Sequence, residues 1–256
     1  MPARGGTAGG SGDGRSQTLA AITAPMAATE AVLRRTSEAS MAHYIIRTFA
    51  ARGERPALEY LIKQYPLDTG ALEIQYIEEY FWEFPRKKTA QEIMRRLEDR
   101  EYLILMAEAP LPDDPRAAVV PVSFKIVHEI RANETDRKLA DLVARLEGHV
   151  VFDDRKILYN WIGGTRSDWR GQGHFRALTE ESEAWAHTSG YHEVVVKTKN
   201  KFYDMRGTLA QLNFDVVKYE PNAKDNRESK VYLSKKLTAD VVRAHTSRRN
   251  VTYVDQ

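Results

Sequence analysis

The chain has 256 residues, 42% of them hydrophobic and 29% charged, which is the composition of a globular protein large enough to bury a full core. It contains no cysteine, which excludes disulfide frameworks, thiolate zinc sites and cysteine nucleophiles, and its 38 basic against 36 acidic residues indicate no strong polyanionic partner. The apolar runs are shorter than the roughly 18 to 20 residues that a membrane span requires, so we expect no membrane partner and a cytoplasmic location.

The predicted organisation is a leader, a single domain and a tail. Residues 1–40 are rich in Gly, Ala and Ser, which predicts a flexible and partly helical leader without a clear signal peptide. Residues 41–240 carry the helix and strand patterns of one domain. Residues 241–256 are predicted to be a basic polar tail.

The first elements of the domain differ in how clearly the sequence predicts them. The segment 43–49 fits either a helix or a first strand. Pro56 opens a helix-like segment that ends at Gln64, and residues 72–84 form an aromatic and acidic stretch that ends before Pro85.

Clearer signals follow along the chain. Thr89 and Glu92 have the spacing of a capping box, which predicts a helix over residues 90–100. The β-rich runs 102–107 and 117–130 flank a Pro- and Asp-rich turn at 110–115 and predict a hairpin. An amphipathic helix is predicted as an insertion near 133–147.

The second half of the domain alternates strands and helices. The predicted elements are a strand at 156–163, a helix at 175–189, a strand at 191–198, a helix at 205–212, and a hairpin of 214–220 with 230–237.

A glycine-containing segment joins the strand at 156–163 to the next helix. A turn that enters a helix leaves backbone N–H groups without partners at the positive end of the helix dipole, so it binds phosphate readily. Gly171 and Gly173 let the backbone approach an anion, and Arg170 and Arg176 flank it with positive charge. The segment lacks the Walker motif and the third glycine of the dinucleotide fingerprint, which leaves either a pyrophosphate site of another kind or a turn without a ligand.

The run Arg170-Gly171-Gln172-Gly173-His174-Phe175 resembles the Q/R-x-x-G-x-G/A hallmark of the GNAT superfamily of acetyl-coenzyme A dependent N-acyltransferases. Phe175 departs from the hallmark, because the family prefers Gly or Ala there. The resemblance covers Ile157 to Leu237 and rests on element order before that. It implies an α/β fold with a mixed, mostly antiparallel central sheet that is flanked by helices and splayed between its fourth and fifth strands. Gly163 and Gly164 are expected to form the bulge that opens the sheet.

The same resemblance implies acetyl-CoA, or another acyl-CoA, as co-substrate. The carrier would be held mainly by the backbone, with one amide near residues 164–166 polarising the thioester oxygen. The implied cofactor-binding residues are Gly164, Thr165, Arg166, Arg170, Gly171, Gln172, Gly173, His174, Phe175 and Arg176. We expect His174 to touch phosphate.

For catalysis, the resemblance implies direct attack by a primary amine in a ternary complex. Glu78 and Glu79 lie in the stretch that would line the acceptor cleft and are the candidate bases, although both also fit a solvated helix face. Leu209 stands where the family often has its tyrosine acid, so Tyr203 is the candidate substitute. Asn200, just before it in the chain, is the remaining candidate catalytic residue.

The predicted acceptor is a small-molecule or peptide amine. Carboxylates among aromatic rings suit a cationic amine, and the candidate substrate-binding residues are Tyr76, Tyr80, Trp82, Tyr159 and Trp161. The histidines show no metal-ligand spacing, so no metal is expected.

Two other functions stay open. The basic residues Arg243, Arg248 and Arg249 would suit a transferase of this fold that modifies a nucleic-acid base or uses an RNA-carried group. A coenzyme A binding module without catalysis would account for Leu209 and Phe175. An ordered N-terminal extension would also allow a homodimer.

Overall fold

The structure, a computed structural model, describes residues 44–49, 58–81, 84, 86–109, 119–245 and 251–254, with the backbone alone for 44–49, 58–59 and 251–254. The predicted leader at 1–40, Trp82 and the turn at 110–115 lie outside the described residues.

The described strands join into one sheet. They are β1 Tyr44–Phe49, β2 Leu58–Gln64, β3 Tyr102–Ala109, β4 Val120–Ile130, β5 Ile157–Thr165, β6 Glu193–Lys199, β7 Asp215–Glu220, β8 Lys230–Lys236 and β9 Val251–Val254. Their order in the sheet is β7-β8-β6-β5-β4-β3-β2-β1-β9. Every neighbouring pair is antiparallel except β5 and β6, which are parallel, so the prediction of a mixed and mostly antiparallel sheet is confirmed.

Helices cover both faces of this sheet. They are α1 Leu67–Glu78, α2 Ala90–Leu97, α3 Arg137–Leu146, α4 His174–Thr188, α5 Tyr203–Gln211 and α6 Ala239–Arg243. Consecutive side chains of β4 show the two faces, because Phe124 packs in the cluster under α1 and α2 whereas Lys125 bonds to a side chain of α4. The inserted helix α3 covers a further cluster on β5, β6 and β8.

Local signals set the starts of two helices. The capping box is confirmed, because the Thr89 side chain accepts from the Glu92 N–H at 3.1 Å and the Glu92 carboxylate accepts from the Thr89 N–H at 3.2 Å. The Asp136 carboxylate accepts from the N–H groups of Lys138 and Leu139 and so begins α3.

The helix-like prediction for residues 56–64 is wrong. Residues 58–64 form β2, which is paired with β1 on one side and β3 on the other. Tyr60 and Ile62, two residues apart, are both buried, and this period of two outweighs the weak helical pattern. Of the two alternatives for 43–49, the strand is the correct one.

The segment after β8 contains α6 and β9, where the sequence predicted a polar tail. β9 pairs with β1, with Tyr44 opposite Val254. Just past α6, the buried His245 places Nε2 at 2.8 Å from Oε2 of Glu183 in α4, and Lys235 donates to the same oxygen at 2.7 Å. This buried charge cluster fixes the end of α6 against α4.

Candidate functional site

A wedge opens between β5 and β6. The two strands are paired from Ile157 opposite Glu193 to Asn160 opposite Val196, and the structure describes no further pair between them. β6 continues against β8, so the edge of β5 over residues 161–165 faces no described strand on that side. This wedge is the predicted splay of the sheet. The resemblance numbers the two strands fourth and fifth, and they are β5 and β6 here because β1 is an additional first strand.

The bulge that bends β5 lies at Trp161. Consecutive residues of β4, Ile126 and Val127, stand opposite Ile162 and Asn160, so Trp161 is the extra residue. Trp161 and Ile162 consequently both pack on the α1 and α2 face.

Gly163 and Gly164 lie beyond the bulge in regular register, so the prediction that they form it is wrong. These glycines allow close packing instead. A Cβ on Gly163 would lie 2.9 Å from the carbonyl oxygen of Phe124, and a Cβ on Gly164 would lie 2.8 Å from the ring of Phe81. Neither position has room for a side chain.

Two glycines in the left-handed region shape the loop between β5 and α4. Gly171 and Gly173 have φ of +81° and +82°, in the left-handed region that favours glycine, and Gln172 between them is half-buried. Gly173 is the N-cap of α4 and offers no side chain to the first helical N–H groups, which have no acceptor within the helix. A Cβ on Gly171 would meet no atom within 4 Å, so the space around that turn residue is open.

The arginines predicted to bind the carrier surround this loop, held in place by protein partners. The contacts are Arg170 Nε to the Thr165 carbonyl at 3.1 Å, Arg166 to the Asp168 carboxylate at 2.8 Å, and Arg176 to the Gln211 side chain at 3.0 Å. Arg170 and Arg176 thus lie beside the start of α4, where an anion would bind, although Arg176 is also 3.7 Å from Glu180 and Arg166 is paired with Asp168.

The side chain of His174 points into the core. It is 1% exposed, and its ring centroid lies 4.2 Å from that of Tyr60 and 6.2 Å from that of Trp169. Burial lowers the pKa of His174 to about 4, so the ring is neutral at neutral pH. The group of His174 that remains for the expected phosphate contact is its backbone N–H.

Phe175, at the position where the resemblance expects Gly or Ala, packs its ring against Lys125. The ammonium lies 4.7 Å from the ring centroid and donates to Thr179 Oγ1 at 3.0 Å. Burial lowers the pKa of Lys125 to about 7, against the opposing effect of Glu183. The Phe175 ring is therefore directed towards the sheet, while its backbone N–H stays at the helix start.

The two candidate bases have different surroundings. Glu78, at the end of α1, is buried and accepts the N–H of Lys88 at 2.5 Å; burial raises its pKa despite that bond. Glu79 is exposed and pairs with Lys87 at 2.9 Å. A raised pKa suits a general base that works near neutral pH, so Glu78 is the better candidate of the two.

The aromatic residues predicted to attract a cationic amine already have arginine partners. The guanidinium of Arg166 lies 4.4 Å from the ring centroid of Tyr80, and that of Arg96 lies 5.1 Å from Trp161. The hydroxyl of Tyr80 also shares a 3.1 Å hydrogen bond with that of Tyr76. A cationic acceptor would have to compete with these contacts.

Tyr159 and Trp161 share a face of β5, and both rings contact His128, at 5.4 and 5.5 Å between centroids. Tyr159 is buried in the cluster under α3, in the part of β5 that is still paired with β6. Burial raises the pKa of Tyr159 to about 12. Its position is therefore below the wedge, in the core.

Asn200 and Tyr203 follow β6 on the other side of the wedge. The Asn200 amide donates to the Asn226 carbonyl at 3.1 Å, and Arg206 bonds the Asn200 side chain. Tyr203, the first residue of α5, is 59% exposed, whereas Leu209 is fully buried. Of these residues, Tyr203 has the most exposed side chain, whereas Asn200 is half-buried.

An aromatic row, formed by Phe124, Phe81, Phe84 and Phe202, was not foreseen from the sequence. The ring of Phe81 lies 6.1 Å from Phe124 and 5.4 Å from Phe84, and Phe84 lies 6.2 Å from Phe202. Because Phe202 follows β6 and Phe124 belongs to β4, the row extends from β4 to the far side of the wedge. Two of its members lie in the aromatic stretch 72–84, but only the fold brings Phe202 opposite them.

A group of buried polar side chains was also missed. Lys63 lies 4.0 Å from Glu108, and the Tyr65 hydroxyl donates to the same carboxylate. Burial, with a smaller effect of Glu108, raises the pKa of Glu73 to about 7. Glu73 Oε2 has no hydrogen-bond partner among the described residues.

Over the described ranges, no helix combines the length and the apolar character needed to cross a membrane. No three His, Asp or Glu side chains in this part of the chain are grouped so as to hold a metal ion.

Comparison with solved structures shows the fold. The Arabidopsis thaliana NAA60 structure in complex with acetyl-CoA is 12% identical, with a TM-score of 0.52, over 70% of this chain and 98% of that one. The NatC complex bound to Gag peptide and CoA is also 12% identical, with a TM-score of 0.51, over 70% of this chain and 99% of its own. A second NAA60 structure, with a bisubstrate analogue, is 14% identical, with a TM-score of 0.50, over 69% of this chain and 99% of that one.

No protein-family model and no curated protein sequence matches the chain. The likeness to solved structures nevertheless shows that the chain has the GNAT fold.

Proposed function

We propose that the chain is an N-acyltransferase that moves an acetyl or other acyl group from coenzyme A to a primary amine. The proposal rests on two structural features that follow each other along the chain. β5 leaves its edge open at the wedge and then runs into the left-handed glycine turn at the start of α4. An open edge suits an extended arm with amide groups, and the turn suits a diphosphate. Coenzyme A carries both groups in one molecule.

The residues present fit this carrier. The N–H groups of His174, Phe175 and Arg176 are the donors for the diphosphate, and the open space at Gly171 allows the approach. The candidate amides for polarising the thioester oxygen are those of Gly164 and Thr165, because the Arg166 N–H already donates to the Val122 carbonyl at 3.0 Å. When bound, the carrier supplies the acyl group as a thioester.

The acceptor amine must be neutral to attack. An alkylamine with a pKa of about 10.4 is roughly 4 to 5 kcal/mol from its reactive form at neutral pH. We assign Glu78 as the base that takes the proton as the C–N bond forms and the C–S bond breaks. The exposed Tyr203 is the group that returns a proton to the departing thiolate.

The acceptor that fits best carries an anionic group as well as its amine. Arg96 and Arg166 lie over the aromatic rings of this face, so a purely cationic polyamine would meet positive charge. A peptide offers both groups, and NatC, a structural neighbour, binds a peptide together with CoA in its crystal structure.

A second candidate is a coenzyme A binding protein without catalysis. The observation in its favour is Leu209, a fully buried apolar side chain where the resemblance expects a tyrosine acid. Release of free thiol from acetyl-CoA in the presence of peptide and small amines separates the two candidates. Turnover supports the transferase, whereas binding of coenzyme A without turnover on any acceptor supports the second candidate.

Two glycines provide a matched test of carrier binding. Gly171 and Gly190 have φ of +81° and +79°, and a Cβ would meet no atom within 4 Å at either. Valine is equally strained at both positions, but only Gly171 lies in the loop before α4. We expect Gly171→Val to abolish coenzyme A binding in calorimetry and Gly190→Val to retain it. Equal affinities in the two variants would contradict the proposed site.

A further inference from the structure

Phe81, a member of the aromatic row, fills the space next to Gly164 on one face of β5. Ring atoms Cε1 and Cζ of Phe81 both lie 2.8 Å from the position that a Cβ on Gly164 would take. The face of β5 that α1 and α2 cover therefore has no room for even a methyl group between the strand and the ring at Gly164.

The Phe81 ring is fixed in this position. Its backbone N–H donates to the Glu78 carbonyl at 3.0 Å, which continues the last turn of α1. The side chain is 1% exposed and packs between Phe124 and Phe84. In a close-packed interior, a ring held on several sides does not move aside for a few added carbon atoms.

The row also closes this side of the wedge further along. Phe84 packs against Phe202, which lies directly before α5. A group that enters along β5 and extends past Gly164 on this face would meet the Phe81 ring, on which Phe84 is stacked.

From these contacts we propose that Phe81, supported by Phe124, restricts the acyl donor to a short chain, so that acetyl-CoA is accepted and butyryl-CoA or longer donors are excluded. The inference rests on the proposed function, which places the thioester beside Gly164. An acetyl group needs only the open edge of β5, whereas further methylenes would have to enter the space that the Phe81 ring fills.

The test is the affinity for acetyl-CoA and butyryl-CoA, measured by calorimetry so that no acceptor is needed. We expect the wild type to bind acetyl-CoA more tightly by at least about tenfold, the low end of the discrimination that a methylene gives in a filled pocket. In Phe81→Ala the two affinities should differ by less than about threefold. Phe214→Ala is the matched control, because it removes another buried phenylalanine ring from a different cluster and should keep the preference.

The outcomes separate the two proposals. Absence of binding by coenzyme A itself would overturn the proposed function. Binding of coenzyme A with equal affinities for the two acyl donors in the wild type, or an unchanged preference in Phe81→Ala, would overturn the present inference alone.

A second measurement applies if Phe81→Ala does not fold. Gly164→Ala should lower the melting temperature because its Cβ meets the Phe81 ring, and Phe81→Leu in the same chain should restore part of the loss. Phe81→Leu alone should narrow the acetyl preference. A Gly164→Ala chain as stable as the wild type would show that the ring does not fill this space and would overturn the inference.

Discussion

Lys125 of β4 and Phe175 of α4 are in direct contact, with the ammonium 4.7 Å from the ring centroid. Phe175 stands where the resemblance expects a residue without a large side chain, and the contact explains how a ring is accommodated there. The ring covers a buried lysine on the sheet, so it does not occupy the side of the turn on which an anion would bind. The departure from the motif at Phe175 is thus accommodated by Lys125, fifty positions earlier in the chain.

Replacing Lys125 by Met should change how stability depends on pH. The pKa of Lys125 is lowered by burial from 10.5 to about 7, so between these values the unfolded chain binds the proton more tightly. The contribution of Lys125 to the free energy of unfolding is therefore lowest below pH 7. It rises between pH 7 and pH 10.5, by about 1.4 kcal/mol per pH unit. Urea unfolding at about pH 7 and pH 9 should show that the free energy of unfolding of the wild type increases relative to that of Lys125→Met at the higher pH. A constant difference would contradict the expectation.

Glu73→Gln should show the opposite trend. The pKa of Glu73 is raised by burial from 4.5 to about 7, so between these values the folded chain binds the proton more tightly and stability falls as pH rises. As the pH rises from about 5 to 7.5, we expect the free energy of unfolding of the variant to increase relative to that of the wild type. The exposed Glu98→Gln serves as control, and a similar gain there would point to a general charge effect.

The buried cluster around Glu183 should contribute far more stability than an exposed ion pair. Side chains of Lys235 and Glu183 are 7% and 1% exposed, whereas those of Arg243 and Asp240 are 71% and 84% exposed. Glu183→Gln leaves a buried ammonium without its anion and should cost about 3 to 5 kcal/mol, against less than about 1 kcal/mol for Asp240→Asn. Denaturant unfolding measures both, and similar losses would refute this account of the cluster.

Thr89→Ala should lower the free energy of unfolding by about 1 kcal/mol, because it removes the N-cap of α2 and breaks the capping box. Thr208→Ala is the comparison, since that hydroxyl donates to the Asp204 carbonyl within α5 and caps no helix. We expect its effect to stay within about 0.5 kcal/mol. Equal losses would show that the cap has no special weight.

Glu78→Gln should reduce turnover by about 10² to 10⁴-fold if Glu78 is the base, with the affinity for coenzyme A unchanged. Glu79→Gln removes a neighbouring carboxylate that is exposed and paired with Lys87, and it should leave turnover near the wild-type value. Steady-state kinetics and calorimetry on the two variants check both statements. A larger loss in Glu79→Gln would reverse the assignment of the base.

The sequence predicted those features that depend on neighbouring residues. The capping box at Thr89 and the glycines at 171 and 173 act through their own backbone, so spacing alone reveals them. The strand β2 was missed because its pairing with β1 and β3 is a property of distant segments. The resemblance implies a bulge at Gly163 and Gly164, whereas the register with β4 puts it at Trp161.

The side-chain environments were less accessible from sequence than the elements. Lys125 lies between the apolar residues Phe124 and Ile126, and nothing near it in the chain shows that Phe175 and Thr179 will cover it. His174 lies in the predicted phosphate loop but turns into the core, because the first turn of α4 directs it at Tyr60. Such outcomes depend on which residues meet across the sheet, which periodicity does not determine.

The pairing of β9 with β1 places the last described strand beside the first, with Tyr44 and Val254 directly opposite each other. Antiparallel neighbours in that arrangement need only a turn of about two residues to be joined as a hairpin. A circularly permuted chain that links Val254 to Tyr44 through such a turn, and that opens within the polar stretch Pro221 to Asp225, would therefore keep the same strand order.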